Sequence, residues 1–175
     1  MFDDNPRDSH PDDYRTLYNK AIELLARREH SRAELSRKLA SHRVFETENT
    51  GQNQRLISCV LDELARSGYQ SDERFAEAYV RSRLRKGFGL QRIALELGQR
   101  GVDEPIATKA LGAYANGDDD LNTDEVIYNT WQKKFGLPPQ DLKERSKQQR
   151  FLYYRGFSGD DIARLFDRID QVFRV

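Results

Sequence analysis

Apolar residues recur along this chain at helical spacing, and the alternation that marks a strand is nearly absent. Leu17, Ala21, Leu24 and Leu25 mark a first helix. Ser31 opens a second, with Glu34 at capping-box spacing and Leu35 and Leu39 as apolar positions. Polar residues 46–55 read as a loop, after which Ile57, Val60, Leu61 and Leu64 make a third helix that Gly68 ends. The next group opens at Ser71 and Asp72. Phe75, Ala76, Tyr79, Val80 and Leu84 line its first helix, and Gly87 and Gly89 break it. Leu90, Ile93, Ala94 and Leu97 follow at i, i+3, i+4, i+7, and Gly101 stops that helix. Asp103 and Pro105 open another, with Ile106, Ala110, Leu111 and Tyr114 as its core.

The last group repeats the plan. Asn122 and Glu125 have capping-box spacing before Val126, Ile127, Trp131 and Phe135, and Pro138 with Pro139 forbids continuation. A helix over 141–154 comes next. Ser158 then caps the ninth, whose stripe is Ile162, Leu165, Phe166, Ile169, Val172 and Phe173. The segment RGVDEPIATKAL at 100–111 parallels RGFSGDDIARLF at 155–166, with one residue inserted. The expectation is an all-α protein of three tandem three-helix, helix-turn-helix-like repeats in an elongated, curved array. Its parts are an acidic disordered tail at 1–13, repeats at 14–70 and 71–117, and a third at 118–175 after an acidic linker containing Asp118, Asp119 and Asp120.

Composition fits an array with much surface: of 175 residues, 37% are hydrophobic and 33% charged. Net charge is zero, which argues against a protein that coats DNA by charge alone. The charges are nevertheless segregated, with a basic run from Arg27 to Arg43 and an acidic one from Asp118 to Glu125. No window reaches the ~18 apolar residues of a membrane span. The acidic start lacks the apolar core of a signal peptide, and Cys59 is the single cysteine. A cytoplasmic protein without disulfide or cysteine-based zinc is expected.

On a helical wheel Arg74, Arg81 and Arg85 fall within roughly 40° of one another, opposite Phe75, Ala76, Tyr79 and Val80. Two readings stand: a solvated face, or a face for carboxylates or phosphates, which suit arginine's planar fork. Arg83 falls inside the apolar arc and must snorkel or find a partner. Glu96 is the candidate, although its own wheel position looks exposed. Arg145, Lys147, Arg150 and Arg155 add scattered charge around the eighth helix.

Catalytic chemistry is not visible. There is no phosphate loop, no HExxH and no GxSxG, and His10, His30 and His42 have no spacing that suggests a metal site or triad. No catalytic residue, metal or cofactor is therefore expected.

The middle of the chain carries a longer motif: DERFAEAYVRSR at 72–83, then KGFGLQRIALELGQRGV at 86–102. With its flanks from about Tyr14 to the end, it resembles the RecX family of bacterial regulators of the RecA recombinase. The resemblance implies tandem three-helix repeats. It also implies binding in the groove of RecA–DNA filaments, with suppression of ATP hydrolysis, strand exchange and co-protease activity, and so an influence on recombination and the SOS response. The partners it implies are the RecA filament, with weak or indirect contact to single- and double-stranded DNA, met by a monomer without a membrane. Arg81, Arg85, Lys86 and Arg92 are the candidate contacts. Phe75, Tyr79, Arg83, Gly87, Gly89, Ile93, Leu97 and Gly101 are the structural positions of the motif. Two alternatives are a direct DNA-binding module of helix-turn-helix type and a helical scaffold for another partner.

One consequence is testable at once. Arg83→Ala lowers the melting temperature far more than Arg81→Ala, and equal shifts in thermal denaturation would overturn the structural assignment of Arg83.

Overall fold

In the computed structural model, residues 9–42, 50–115 and 122–173 are described. Their helices are α1 (Pro11–Leu25), α2 (Arg32–Ala40), α3 (Thr50–Arg66), α4 (Asp72–Arg85), α5 (Leu90–Gln99), α6 (Glu104–Ala115), α7 (Thr123–Lys134), α8 (Leu142–Tyr154) and α9 (Gly159–Val172). No strand occurs among the described residues, so the fold is all-α.

The helices begin where local chemistry satisfies free amides. Ser158 accepts from the Asp161 amide while the Asp161 carboxylate accepts from the Ser158 amide, a complete capping box. The two boxes read at Ser31–Glu34 and Asn122–Glu125 are only half made. Ser31 accepts from the Glu34 amide, but the Glu34 carboxylate is taken by Arg28 and Arg100. Asn122 accepts from the Asp124 amide, while Glu125 pairs with Arg168 at 2.8 Å. In both cases a guanidinium offers the carboxylate a stronger, charge-assisted bond than the backbone amide does.

Two boundaries differ from the sequence reading. Residues 50–55, read as loop, are the first turns of α3, because Leu56 and Ile57 are buried and anchor the helix at that end. Pro11, Asp12 and Asp13, read as tail, open α1, with proline in its first turn and the two carboxylates near the positive end of the helix dipole. Residues 1–8 of the acidic tail, the acidic linker at 118–120 and Arg43 lie outside the described residues.

The chain divides into two compact units. One comprises 1–75 with 100–102, the other 76–99 with 103–175. In the first, α3 packs across α1 and α2. Its core is built from Tyr14, Leu17, Ala21, Leu35, Leu39, Leu56, Ile57, Val60, Leu61 and Leu64. The turn at Arg100 and Gly101 belongs to this unit. The Ser31 hydroxyl donates to the Arg100 carbonyl at 2.7 Å, and a Cβ on Gly101 would lie 2.5 Å from that of Ala33.

In the second unit, α5 packs against α6, and α9 crosses α7 and α8. Trp131 is fully buried, and its indole N–H donates to Gln148 Oε1 at 2.7 Å, which satisfies the one polar atom of the ring. Val172 and Phe173, read as part of the α9 stripe, are exposed at its end. The start of α5 has no capping side chain, since Gly89 precedes it. Carbonyl groups from the turn after α8 serve instead: the Gly89 amide donates to the Arg155 carbonyl at 2.9 Å and the Gln91 amide to that of Gly156 at 3.1 Å. The approach is so close that a Cβ on Gly89 would lie 2.2 Å from the Gly156 oxygen. Gly156 itself has φ 89° and sits against Arg92.

Gly89→Ala therefore forces two backbone segments apart and destabilises the protein by about 2–4 kcal/mol. Gly98→Ala in the same sequence region, where an added Cβ meets nothing within 4 Å, stabilises by about 0.5–1 kcal/mol through its helix position. Urea denaturation of the two variants should give opposite signs.

Candidate binding site, a cationic cleft

The turn between α4 and α5 reads Lys86-Gly87-Phe88-Gly89, and several arginines converge on it. The Arg83 guanidinium lies 3.6 Å from the Phe88 ring centre, Arg155 4.9 Å and Arg92 5.7 Å. Arg83 finds the partner its apolar position requires: its Nη2 donates to Glu96 Oε1 at 2.6 Å. Arg92 donates to the same oxygen at 3.0 Å, and the Tyr79 hydroxyl donates to Oε2 at 2.8 Å. The Glu96 side chain is only 15% exposed, so its wheel position misled. Neighbouring helices cover it, which a single-helix projection leaves out. Burial alone would raise the Glu96 carboxyl, but the bonds from Tyr79, Arg83 and Arg92 outweigh it and hold the carboxyl below its ordinary value.

The three arginines of the stripe are all exposed, and each has its own surroundings. Arg74 belongs to the first unit, where it pairs with Glu29 at 3.0 Å and donates to the Tyr69 carbonyl. Arg81 is exposed, with its Nε 3.4 Å from the Tyr114 hydroxyl. Arg85 goes elsewhere. With Lys86 it lines a cleft of about 790 Å³ in the second unit. Several of the motif's structural positions are packed. Phe75, Ile93 and Leu97 are buried, and Gly87 has φ 75° with its Cα against the Thr130 side chain of α7.

The opposite wall comes from α7 and α8. Lys133 and Lys134 occupy the last turn of α7, where cations complement the helix dipole. Phe151 and Arg155 come from α8 and the turn after it, and Val126, Asn129 and Thr130 complete the lining. Arg155 is a positioning group. Its Nη1 donates to the carbonyls of Lys86 at 3.1 Å and Gly87 at 3.4 Å, and its guanidinium lies over both Phe88 and Phe151. Among the described residues, no carboxylate lines the cleft. Among the described residues, no ion pair is formed by Arg85, Lys86, Lys133 or Lys134. Sequence reading missed Lys133 and Lys134, whose signal was two lysines ending a helix just before Gly136. It named Arg155 only as scattered surface charge.

This architecture has known counterparts. Family models match three successive segments: the RecX first three-helix domain at 18–44, the second at 71–111 and the third at 122–166. The chain is 43% identical over 152 residues to Regulatory protein RecX of Ectopseudomonas mendocina (strain ymp), covering 86% of this chain and 93% of that one. The chain belongs to the RecX family. Regulatory protein RecX of Chromobacterium violaceum is 42% identical over 151 residues, covering 86% of this chain and 89% of the relative. A crystal structure of RecX from Lactobacillus salivarius superposes with TM-score 0.71 at 25% identity, over 92% of this chain and 99% of that one. The RecX three-helix domains thus account for the repeats read from periodicity. Among the described residues, no helix is long and apolar enough to cross a membrane, and no group of three or more metal-ligating side chains occurs.

The Glu96 cluster predicts a pH effect. A carboxyl whose folded-state value lies below its unfolded one, near 4.5, stabilises the fold above that pH. It loses the contribution as pH falls through the folded value. Glu96→Gln should lower the melting temperature by roughly 5 °C or more at neutral pH. Its gap from the parent should close as pH drops below the unfolded value in thermal scans. A gap that stays constant down to strong acid would refute the assignment.

Proposed function

We propose that this protein is a non-catalytic regulator that binds RecA recombinase filaments on DNA. It lowers their ATP hydrolysis, strand exchange and co-protease activity, and thereby modulates recombination and the SOS response. The observation that carries this reading is the match to all three RecX domains in order, backed by relatives named Regulatory protein RecX over most of their length. The protein acts as a monomer in the cytoplasm and needs no cofactor. Its repeats offer several modest contacts, which sum when they engage one filament together. Of the four candidate contacts, Arg85 and Lys86 are exposed, lie in the cleft and pair with no carboxylate among the described residues. Arg81 is exposed on α4, whereas Arg92 is engaged by Glu96. Arg85 and Lys86 are thus the better-placed half of the set.

ATP hydrolysis by RecA from the same organism, on single-stranded DNA, tests the reading. Titrating in the protein should inhibit turnover at substoichiometric amounts. An Arg81→Ala/Arg85→Ala variant with unchanged circular dichroism should need about tenfold more protein, the loss expected when charge complementarity at a contact is removed. Absence of inhibition by the parent protein would sink the function; equal inhibition by the variant would sink only the contact residues.

A further inference from the structure

The corner where α7 turns into α8 holds a smaller cavity, of about 250 Å³, walled by Phe135, Leu137 and Pro138 with Glu144, Lys147 and Gln148. Local bonds set its frame. Pro138 and Pro139 restrict the backbone between the helices. The Gln140 amide donates to Glu144 Oε2 at 3.0 Å, and the Glu144 amide donates to Asp141 Oδ1 at 2.7 Å. Gln148 Nε2 donates to the Leu137 carbonyl at 3.3 Å, while its Oε1 accepts from the buried Trp131 indole at 2.7 Å. The cavity is therefore preformed, and a ligand entering it loses little entropy to ordering the loop. Two leucines stay in water beside it: Leu137 is 67% exposed, and Leu142, at the first position of α8, is 82% exposed. From here Lys143, Lys147, Arg150 and Tyr154 follow at i, i+4, i+7 and i+11, one line along α8, and all four are exposed. Among the described residues, none of these three cations forms an ion pair, whereas Arg145 of the same helix pairs with Asp170 at 3.4 Å. Helix stability does not explain the line. Lys143 lies in the first turn of α8, where the dipole disfavours a cation, and Lys147 one turn on adds like-charge repulsion.

We propose that this corner docks an acidic segment of a partner protein, seated by one bulky apolar side chain. The cavity sets the anchor. At about 250 Å³ it falls below the roughly 300–1,000 Å³ of small-molecule pockets. It takes a single group the size of leucine or phenylalanine, the anchor-in-pocket arrangement of protein interfaces. Charge sets the flanks. Carboxylates beside the anchor meet Lys143, Lys147 and Arg150 at an exposed rim, where charge complementarity steers encounter and selects the partner. Tyr154, 71% exposed, extends the contact, tyrosine being enriched at such interfaces. Nucleic acid fits the corner less well. The Glu144 carboxylate stands in the wall, where it repels a phosphate chain but not an uncharged side chain. Leu137 and Leu142, the apolar groups that protrude beside the cavity, offer no ring for a base to stack on.

The proposal does not depend on the RecA reading, and its test contains no RecA. Fluorescence anisotropy of a labelled peptide with a central phenylalanine between runs of glutamate, titrated with the full chain, measures it. The parent protein should bind this peptide about tenfold more tightly than the same peptide with alanine at its centre, or with glutamine in place of glutamate. Leu137→Ala should weaken binding about fivefold by removing one apolar wall. Lys147→Glu/Arg150→Glu should weaken it by more than about tenfold. Lys38→Glu/Lys109→Glu makes the same charge change at exposed positions away from the corner and should bind like the parent. All of these side chains are exposed, so folding is retained and circular dichroism confirms it. No peptide binding at low salt, indifference to the central residue, or equal weakening by the two charge-reversed pairs overturns the proposal. So does a greater loss in Arg85→Glu/Lys86→Glu than in Lys147→Glu/Arg150→Glu, which places the peptide in the cationic cleft. A labelled oligothymidylate that binds with the same loss in Leu137→Ala overturns it as well.

Discussion

The close passage of two backbone segments at Gly89 and Gly156 is the contact on which the second unit depends. It replaces a side-chain cap at the start of α5 with carbonyl groups from the turn after α8, so the amides of α5 are satisfied by residues 66 positions away (Gly89 to Arg155). A side chain at either glycine would occupy space already filled by backbone. The same contact delivers Arg155 to the turn after α4, where its guanidinium donates to the carbonyls of Lys86 and Gly87 and lies over Phe88 and Phe151. The cationic cleft exists because this joint brings α4, α7 and α8 to one place.

The first unit uses a related device with different chemistry. Its turn at Arg100 and Gly101 meets the start of α2, where Ser31 and Ala33 stand in the places that Gly89 and Gln91 hold at the start of α5. Arg100 reaches the Glu34 carboxylate. Burial would raise the Glu34 carboxyl, yet the bonds and charges of Arg28 and Arg100 keep it low. Glu34 and Glu96 are thus two largely buried carboxylates, each collecting two arginines. Such clusters contribute less to net stability than to fixing geometry, because desolvation offsets much of the attraction. The arginines so committed are engaged within the fold, whereas Arg85, Lys86, Lys133 and Lys134 at the cleft form no ion pair among the described residues.

Much of this was legible in the sequence. Helical spacing located the repeats, and the long motif at 72–102 pointed to the RecX family before any contact was known. Arg83 could be marked as structural because a cation inside an apolar arc needs a partner, and Glu96 was the candidate in reach. The places where reading failed share a cause. Residues 50–55 looked like loop because their polarity is that of an exposed helix face as well. Glu34 and Glu125 looked like capping-box acids because the spacing cannot reveal that Arg28, Arg100 and Arg168 compete for them. Arg74, Arg81 and Arg85 are exposed as read, although a helical wheel carries no information about the Glu29 and Tyr114 that Arg74 and Arg81 meet.

What the sequence determined by itself was every property set within a few residues: helix periodicity, the turn glycines, the cap at Ser158 and the family motif. What the tertiary structure decided was which charges are spent and which remain free. Lys86 and Lys133 lie 47 positions apart yet line one cleft. Arg92 and Arg85, close in sequence, end respectively in an ion pair and in that cleft without a carboxylate partner. The physical reason is range. Helix propensity and capping act over one turn of chain, whereas a charge is matched or left unmatched by whatever folding brings within a few ångströms of it.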